Sequence, residues 1–118
     1  MDALVSAERY EANLRNVLEA AKAMTGHMAL LASAPVLEGQ PNPNAKTRLN
    51  ADIREYNAVL ARLAEEYGAQ LIDLYAAVDS AGSDRLLNDD GIHPNADGHI
   101  VIQQLVQPYL TQLIDKER

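Results

Sequence analysis

From about Ser6 to Met24, the apolar positions Tyr10, Leu14, Val17, Leu18 and Ala21 recur at three- and four-residue spacings, with Glu11, Arg15, Glu19 and Lys22 between them. That period predicts an amphipathic helix with Ser6 as its N-cap, Glu8 in its first turn and Gly26 placed to stop it. His27 to Ala34 reads HMALLASA, a short apolar run that ends at Pro35 and suits a strand covered on both faces. The proline- and amide-rich EGQPNPNAKT predicts a loop. From about Ala45 to Tyr67, Leu49, Ile53, Tyr56, Leu60, Leu63 and Tyr67 alternate steps of four and three residues, the strongest helical signal in the chain, closed by Gly68. Gln70 to Tyr75 (QLIDLY) predicts a second strand, and Ala76 to Gly98 a polar loop. A last helix follows, with Ile100, Leu105, Val106, Tyr109, Leu110, Leu113 and Ile114 as its inward face and Pro108 as its weak point. The expected order is α-β-α-β-α. Two strands joined through a long helix run parallel, which makes the chain α/β.

The length, 118 residues, allows one modest core, so residues 1–118 are expected to form a single domain. With no Phe, Trp or Cys, that core is aliphatic, and disulfides and thiolate metal sites are excluded. Tyr10, Tyr56, Tyr67 and Tyr109 fall on apolar helix faces and read as core or interface residues. Seventeen acidic residues against ten basic give a formal charge of −7, which repels a phosphate backbone and makes nucleic acid an unsuitable partner. The longest apolar stretch, Met28 to Leu37, is broken by Ser33 and Pro35 and falls far short of the ~20 residues needed to span a bilayer. Nothing at the start resembles a signal peptide, and the lack of cysteine fits a reducing compartment such as the cytoplasm.

Chemistry is concentrated in one place, Asp89-Asp90-Gly91-Ile92-His93-Pro94-Asn95-Ala96-Asp97-Gly98-His99. It follows a strand and opens a helix, where open α/β sheets bind ligands. An aspartate three residues before a histidine, with a glycine between, lets a turn fold the carboxylate onto the imidazole. A carboxylate held at Nδ1–H fixes the tautomer and leaves Nε2 free to accept a proton. Pro94 restricts His93 to extended angles, and Asn95 can cap the helix that follows. The alternative reading is an Asx-turn beside a surface histidine. A metal set of Asp89, Asp90, His93, Asp97 and His99 fits neither a calcium loop nor HExxH, so no metal and no cofactor is expected. His27 and His99 read as solvated or capping residues, and the glutamates of the first two helices as a solvated face.

The run Asp90-Gly91-Ile92-His93-Pro94-Asn95, followed by a small residue, an acid and Gly98, resembles the last motif of the SGNH (GDSL-type) hydrolases. The upstream segments ERYEANLRNVLEAAK and LNADIREYNAVLARLAEEYGAQLIDLY resemble that family's C-terminal half, so the likeness covers nearly the whole chain. It implies part of a flavodoxin-like three-layer fold and serine esterase or lipase chemistry on a small ester. Asp90 is then the orienting acid and His93 the general base. The family's nucleophile in a GDS motif and its oxyanion asparagine in G-x-N-D are absent, and Met1-Asp2-Ala3-Leu4 reads as the stub just after a lost Gly-x-Asn, with Asp2 as the last letter of that motif. Ser33, Ser80 and Ser83 lack the strained strand-to-helix turn, with glycines on both sides, that exposes a nucleophile. The chain is therefore expected to be a truncated, nucleophile-lacking half, inactive alone. Three outcomes are open: an ester hydrolase region, a non-catalytic module that self-associates as a dimer, and half of a hydrolase completed by another chain.

Overall fold

The computed structural model describes residues 6–38 and 49–117. Ser6 caps the first helix, α1 (Ala7–Lys22), its hydroxyl accepting the Arg9 N–H at 3.2 Å. The helix ends with Ala23 as its cap, before Gly26 is reached. Tyr10, Leu14 and Leu18 face inward as expected, whereas Val17 is 62% exposed. The second helix, α2, runs Asn50–Glu66 and ends where Gly68 takes a φ of +66°, with Val59, Leu60, Leu63 and Ala64 buried. Most of the expected EGQPNPNAKT loop and the expected first turn of this helix lie outside the described residues.

The strands are shorter than their apolar runs. Strand β1 (Ala29–Leu31) pairs in parallel with β2 (Gln70–Ile72) in the register Ala29↔Gln70, Leu30↔Leu71 and Leu31↔Ile72. One further bond, from the Ala32 N–H to the Ile72 carbonyl at 2.9 Å, extends the ladder before it stops. It stops because Asn57 on α2 takes both backbone groups of Ser33, accepting its N–H at 2.9 Å and donating to its carbonyl at 3.0 Å. A strand to Ala34 is thus corrected to one ending at Leu31. The second strand does not reach Tyr75, because the Asp73 carboxylate accepts the Ala76 N–H at 3.0 Å and starts a helix, α3 (Leu74–Ala81). The segment expected as loop holds this helix and a single turn, α4 (Ser83–Leu86), separated by Gly82 at φ +106°. The last helix, α5 (Ala96–Glu117), contains Pro108 and continues through it. Among the described residues the order is therefore α-β-α-β-α-α-α. The α/β class and the parallel pairing hold.

Two apolar clusters support this frame. Leu18, Val59 and Leu63 join α1 to α2, with Leu30 of β1 and Met28 packed against them. Leu74, Val78 and Leu86 form the second, packed by Ala34 and by Val101, Ile102 and Leu105 of α5. Tyr10 and Tyr56 stack with ring centroids 4.8 Å apart, and Tyr109 donates to the Met28 carbonyl at 3.3 Å, tying α5 to the start of β1. Glu11 and Glu66 are not merely solvated: Arg15 pairs with Glu66, and Arg62 with Glu11, across the α1–α2 seam, while Arg15 also pairs with Glu11 along α1. Among the described residues no helix is long and apolar enough to cross a membrane.

Candidate active site

Strand β2 delivers the chain into α3 and α4, and α4 ends at two buried residues, Leu86 and Leu87. These anchor a turn built almost wholly from its own backbone. Leu87 pairs antiparallel with Pro94, the Asn88 N–H donates to the His93 carbonyl at 2.8 Å, and the Gly91 N–H donates to the Asn88 carbonyl at 2.9 Å. Gly91 has a φ of +74°, a left-handed conformation that costs any residue with a Cβ about 1–2 kcal/mol. Asn95 closes the turn from the other side. Its side chain donates to the Arg85 carbonyl at 2.8 Å and accepts the Gly98 N–H at 2.8 Å, so it caps α5 as the sequence suggested.

Asp90 uses its two carboxylate oxygens differently. Oδ1 accepts the N–H groups of Ile92 at 2.9 Å and His93 at 3.0 Å, while Oδ2 contacts His93 Nδ1. The two amides fix the plane of the carboxylate, and the free oxygen is thereby aimed at the imidazole. An ionised carboxylate only accepts, so the shared proton belongs to Nδ1 and Nε2 carries the lone pair. The His93 hydrogen bond first, then the two amides, hold the Asp90 carboxyl at about 2, below its ordinary 3.8. It is ionised across the whole range in which a histidine base works. The His93 side chain is 71% exposed against 27% for Asp90, so the ring stands open to a partner while the acid behind it is sheltered.

The other expected candidates are not drawn in. Among the described residues no serine hydroxyl hydrogen-bonds His93, and no three His, Asp or Glu side chains gather to hold a metal. Ser33 is exposed at the end of β1 with its backbone held by Asn57, and Ser80 lies on α3. Asp2 lies outside the described residues. Two side chains that composition and spacing did not single out prove to shape the neighbourhood. Asn50 accepts the Val36 N–H at 2.8 Å and donates to its carbonyl at 2.9 Å, and Asn57 grips Ser33 likewise. The signal available was their spacing of seven residues, which puts two amides on one face of α2.

The model of the GDSL-like lipase/acylhydrolase family matches residues 1–101. The chain belongs to this family. Its fold is that of several solved relatives. A Bacteroides fragilis NCTC 9343 protein named as an acylhydrolase aligns with a TM-score of 0.72 and 28% identity over 92% of this chain and 53% of its own. LAE5, an α/β hydrolase enzyme from the metagenome of Lake Arreo, Spain, aligns at 0.66 and 28% over 83% of this chain and 44% of its own. The acetylxylan esterase Axe2 of Geobacillus stearothermophilus, at 0.64 and 21% over 85% of this chain and 45% of its own, shares the fold. The GDSL-family chain thus spans about half the length of the solved structures it matches. No curated protein matches it.

Proposed function

We propose that this GDSL-family chain supplies the acid–base half of a serine ester hydrolase. Asp90 orients, His93 moves the proton, and the nucleophilic serine and oxyanion donors come from outside these 118 residues. The observation that carries the reading is the division of labour on Asp90, one oxygen fixed by two amides and the other on His93 Nδ1. In the completed site His93 Nε2 takes the proton of a serine hydroxyl as its oxygen adds to the carbonyl of a small ester. The imidazolium then returns that proton to the departing alkoxide, leaving an acyl-serine. A water, deprotonated in turn by Nε2, releases the acid and regenerates the serine. Asp90 stays ionised throughout and stabilises the imidazolium. Family membership and the two relatives at 28% identity support the reaction class.

A fluorophosphonate probe and a short-chain nitrophenyl ester test this directly. The chain alone is expected to show neither labelling nor turnover. Addition of the GDS-bearing upstream half of a family member is expected to restore both, with labelling on the added serine and both signals abolished by His93→Ala. Hydrolysis that survives His93→Ala would overturn the assignment.

A second reading, a self-associating module, draws on exposed apolar side chains. Leu31 on β1 is 45% exposed, and Leu110 and Ile114 on α5 are 51% and 56% exposed. The described sheet has two strands and hence two unpaired edges. This reading predicts a dimer in sedimentation at low micromolar concentration, and a monomer that unfolds cooperatively at that concentration would rule it out.

A further inference from the structure

We propose that Asn50 is a positioning residue for the Asp90–His93 pair, acting through two consecutive peptide planes. The inference rests on the reading of that pair as a catalytic dyad, but its geometry is independent of any ester.

The relay can be followed atom by atom. Asn50 Nδ2 donates to the Val36 carbonyl at 2.9 Å. That carbonyl shares a rigid peptide plane with the Leu37 N–H, which donates to the Gly91 carbonyl at 2.9 Å. The Gly91 carbonyl in turn shares its plane with the Ile92 N–H, which donates to Asp90 Oδ1 at 2.9 Å. Asp90 Oδ2 contacts His93 Nδ1. Every donor points the same way, toward the carboxylate, so each bond polarises the next amide into a better donor.

Geometry and local chemistry make the relay more than a series of neighbours. Gly91, at φ +74° and without a Cβ, has the backbone freedom to let the Gly91–Ile92 peptide rotate. The Leu37 N–H is the group that fixes that plane from outside the turn. Val36 is buried at 5% exposure and Pro35 is fully buried, so the segment that holds the Leu37 amide is itself anchored. Asn50 clamps Val36 from both sides, since its Oδ1 also accepts the Val36 N–H at 2.8 Å, and its own backbone N–H is held by Glu38 at 2.6 Å. Asn57 makes the same two-bond clamp on Ser33, three residues upstream, and takes no part in the relay. It is therefore a matched control.

The test is NMR on the chain itself, with no turnover required. Asn50→Ala is expected to weaken the Ile92 amide bond, moving its proton upfield, and to raise the Asp90 carboxyl pKa by about half a pH unit. The downfield His93 Nδ1 proton should exchange faster, and Asn57→Ala should leave all three unchanged. Asn50→Asp keeps the acceptor for the Val36 N–H and replaces the donor with a charged oxygen, so, read at the Ile92 amide proton and not at the Asp90 pKa, it serves if the alanine variant does not fold. In the unsubstituted chain the Leu37 amide shift should follow the His93 titration with the same midpoint, while that of Ser33 should not. A Leu37 amide silent through the His93 titration, or an Ile92 amide indifferent to folded Asn50 variants, would overturn the proposal. Loss of ester hydrolysis in the complemented enzyme is a separate result, because none of these signals depends on a serine.

Discussion

Asp90→Asn is expected to lower ester hydrolysis by the complemented enzyme about 10⁴-fold near neutral pH while leaving the turn folded. The asymmetry of the Asp90 contacts explains both halves of that expectation. An asparagine carbonyl can still accept the Ile92 and His93 N–H groups, so the backbone turn keeps its two local bonds. Its NH₂ then occupies the position of Oδ2 and meets Nδ1 as a donor. Nδ1 becomes the acceptor, the proton moves to Nε2, and the base is lost although nothing has moved. Asp90→Ala removes both functions and should loosen the turn as well. Steady-state kcat for the two variants, alongside their amide spectra, separates the effects, and an asparagine variant within tenfold of the parent would remove Asp90 from the mechanism.

The same carboxylate sets an acid limb. Its folded pKa, about 2, lies below the ordinary 3.8, so its contribution to the turn is complete above about pH 4 and is lost as the pH falls toward 2. Urea midpoints for the parent should fall between pH 5 and pH 2.5 by more than those of Asp90→Asn, which has no carboxyl to protonate at this position. Equal falls for the two proteins would mean that the acid sensitivity arises at other carboxylates.

What could be read from the sequence divides by range. Asp90 and His93 were legible because their partnership spans three residues and the intervening glycine and following proline restrict the backbone to one turn. The helix α2 was legible because Leu60 and Leu63 extend a period repeated over several turns. The ends of the strands were not. HMALLASA and QLIDLY are mostly apolar with no break at the strand ends, and what terminates each strand is polar: Asn57 reaching Ser33 from another element, and Asp73 serving as a cap within a run that reads as strand. Helix α4 is a single turn and carries no period. The seven-residue spacing of Asn50 and Asn57 does not mark them as clamps, because an amide on a helix ordinarily faces water and nothing local announces that a buried backbone segment lies opposite. The bond between Leu37 and Gly91 joins segments far apart in the chain, which only the completed fold brings together.

Gly98→Ala is expected to destabilise the chain by about 3 kcal/mol. A Cβ at this position would lie 2.4 Å from the Leu86 carbonyl oxygen and 2.8 Å from Pro94 Cβ. The first of these is backbone, and it is already committed, since the Leu86 carbonyl accepts the Asn95 N–H at 2.9 Å. Relief therefore requires either breaking that bond or lifting the first turn of α5 away from the 86–94 segment. The second movement stretches the bond from the Gly98 N–H to Asn95 Oδ1 and pulls Val101 and Ile102 from the cluster around Leu86. Gly26→Ala is the fitting control, because a Cβ there meets nothing within 4 Å and its backbone is not in the left-handed region, so its stability should change by less than about 0.5 kcal/mol. Urea unfolding of the three proteins measures the difference. Matching midpoints for Gly98→Ala and Gly26→Ala would mean that α5 does not approach the Asp90–His93 turn this closely, and with it the packing that holds His93 in place would have to be redrawn.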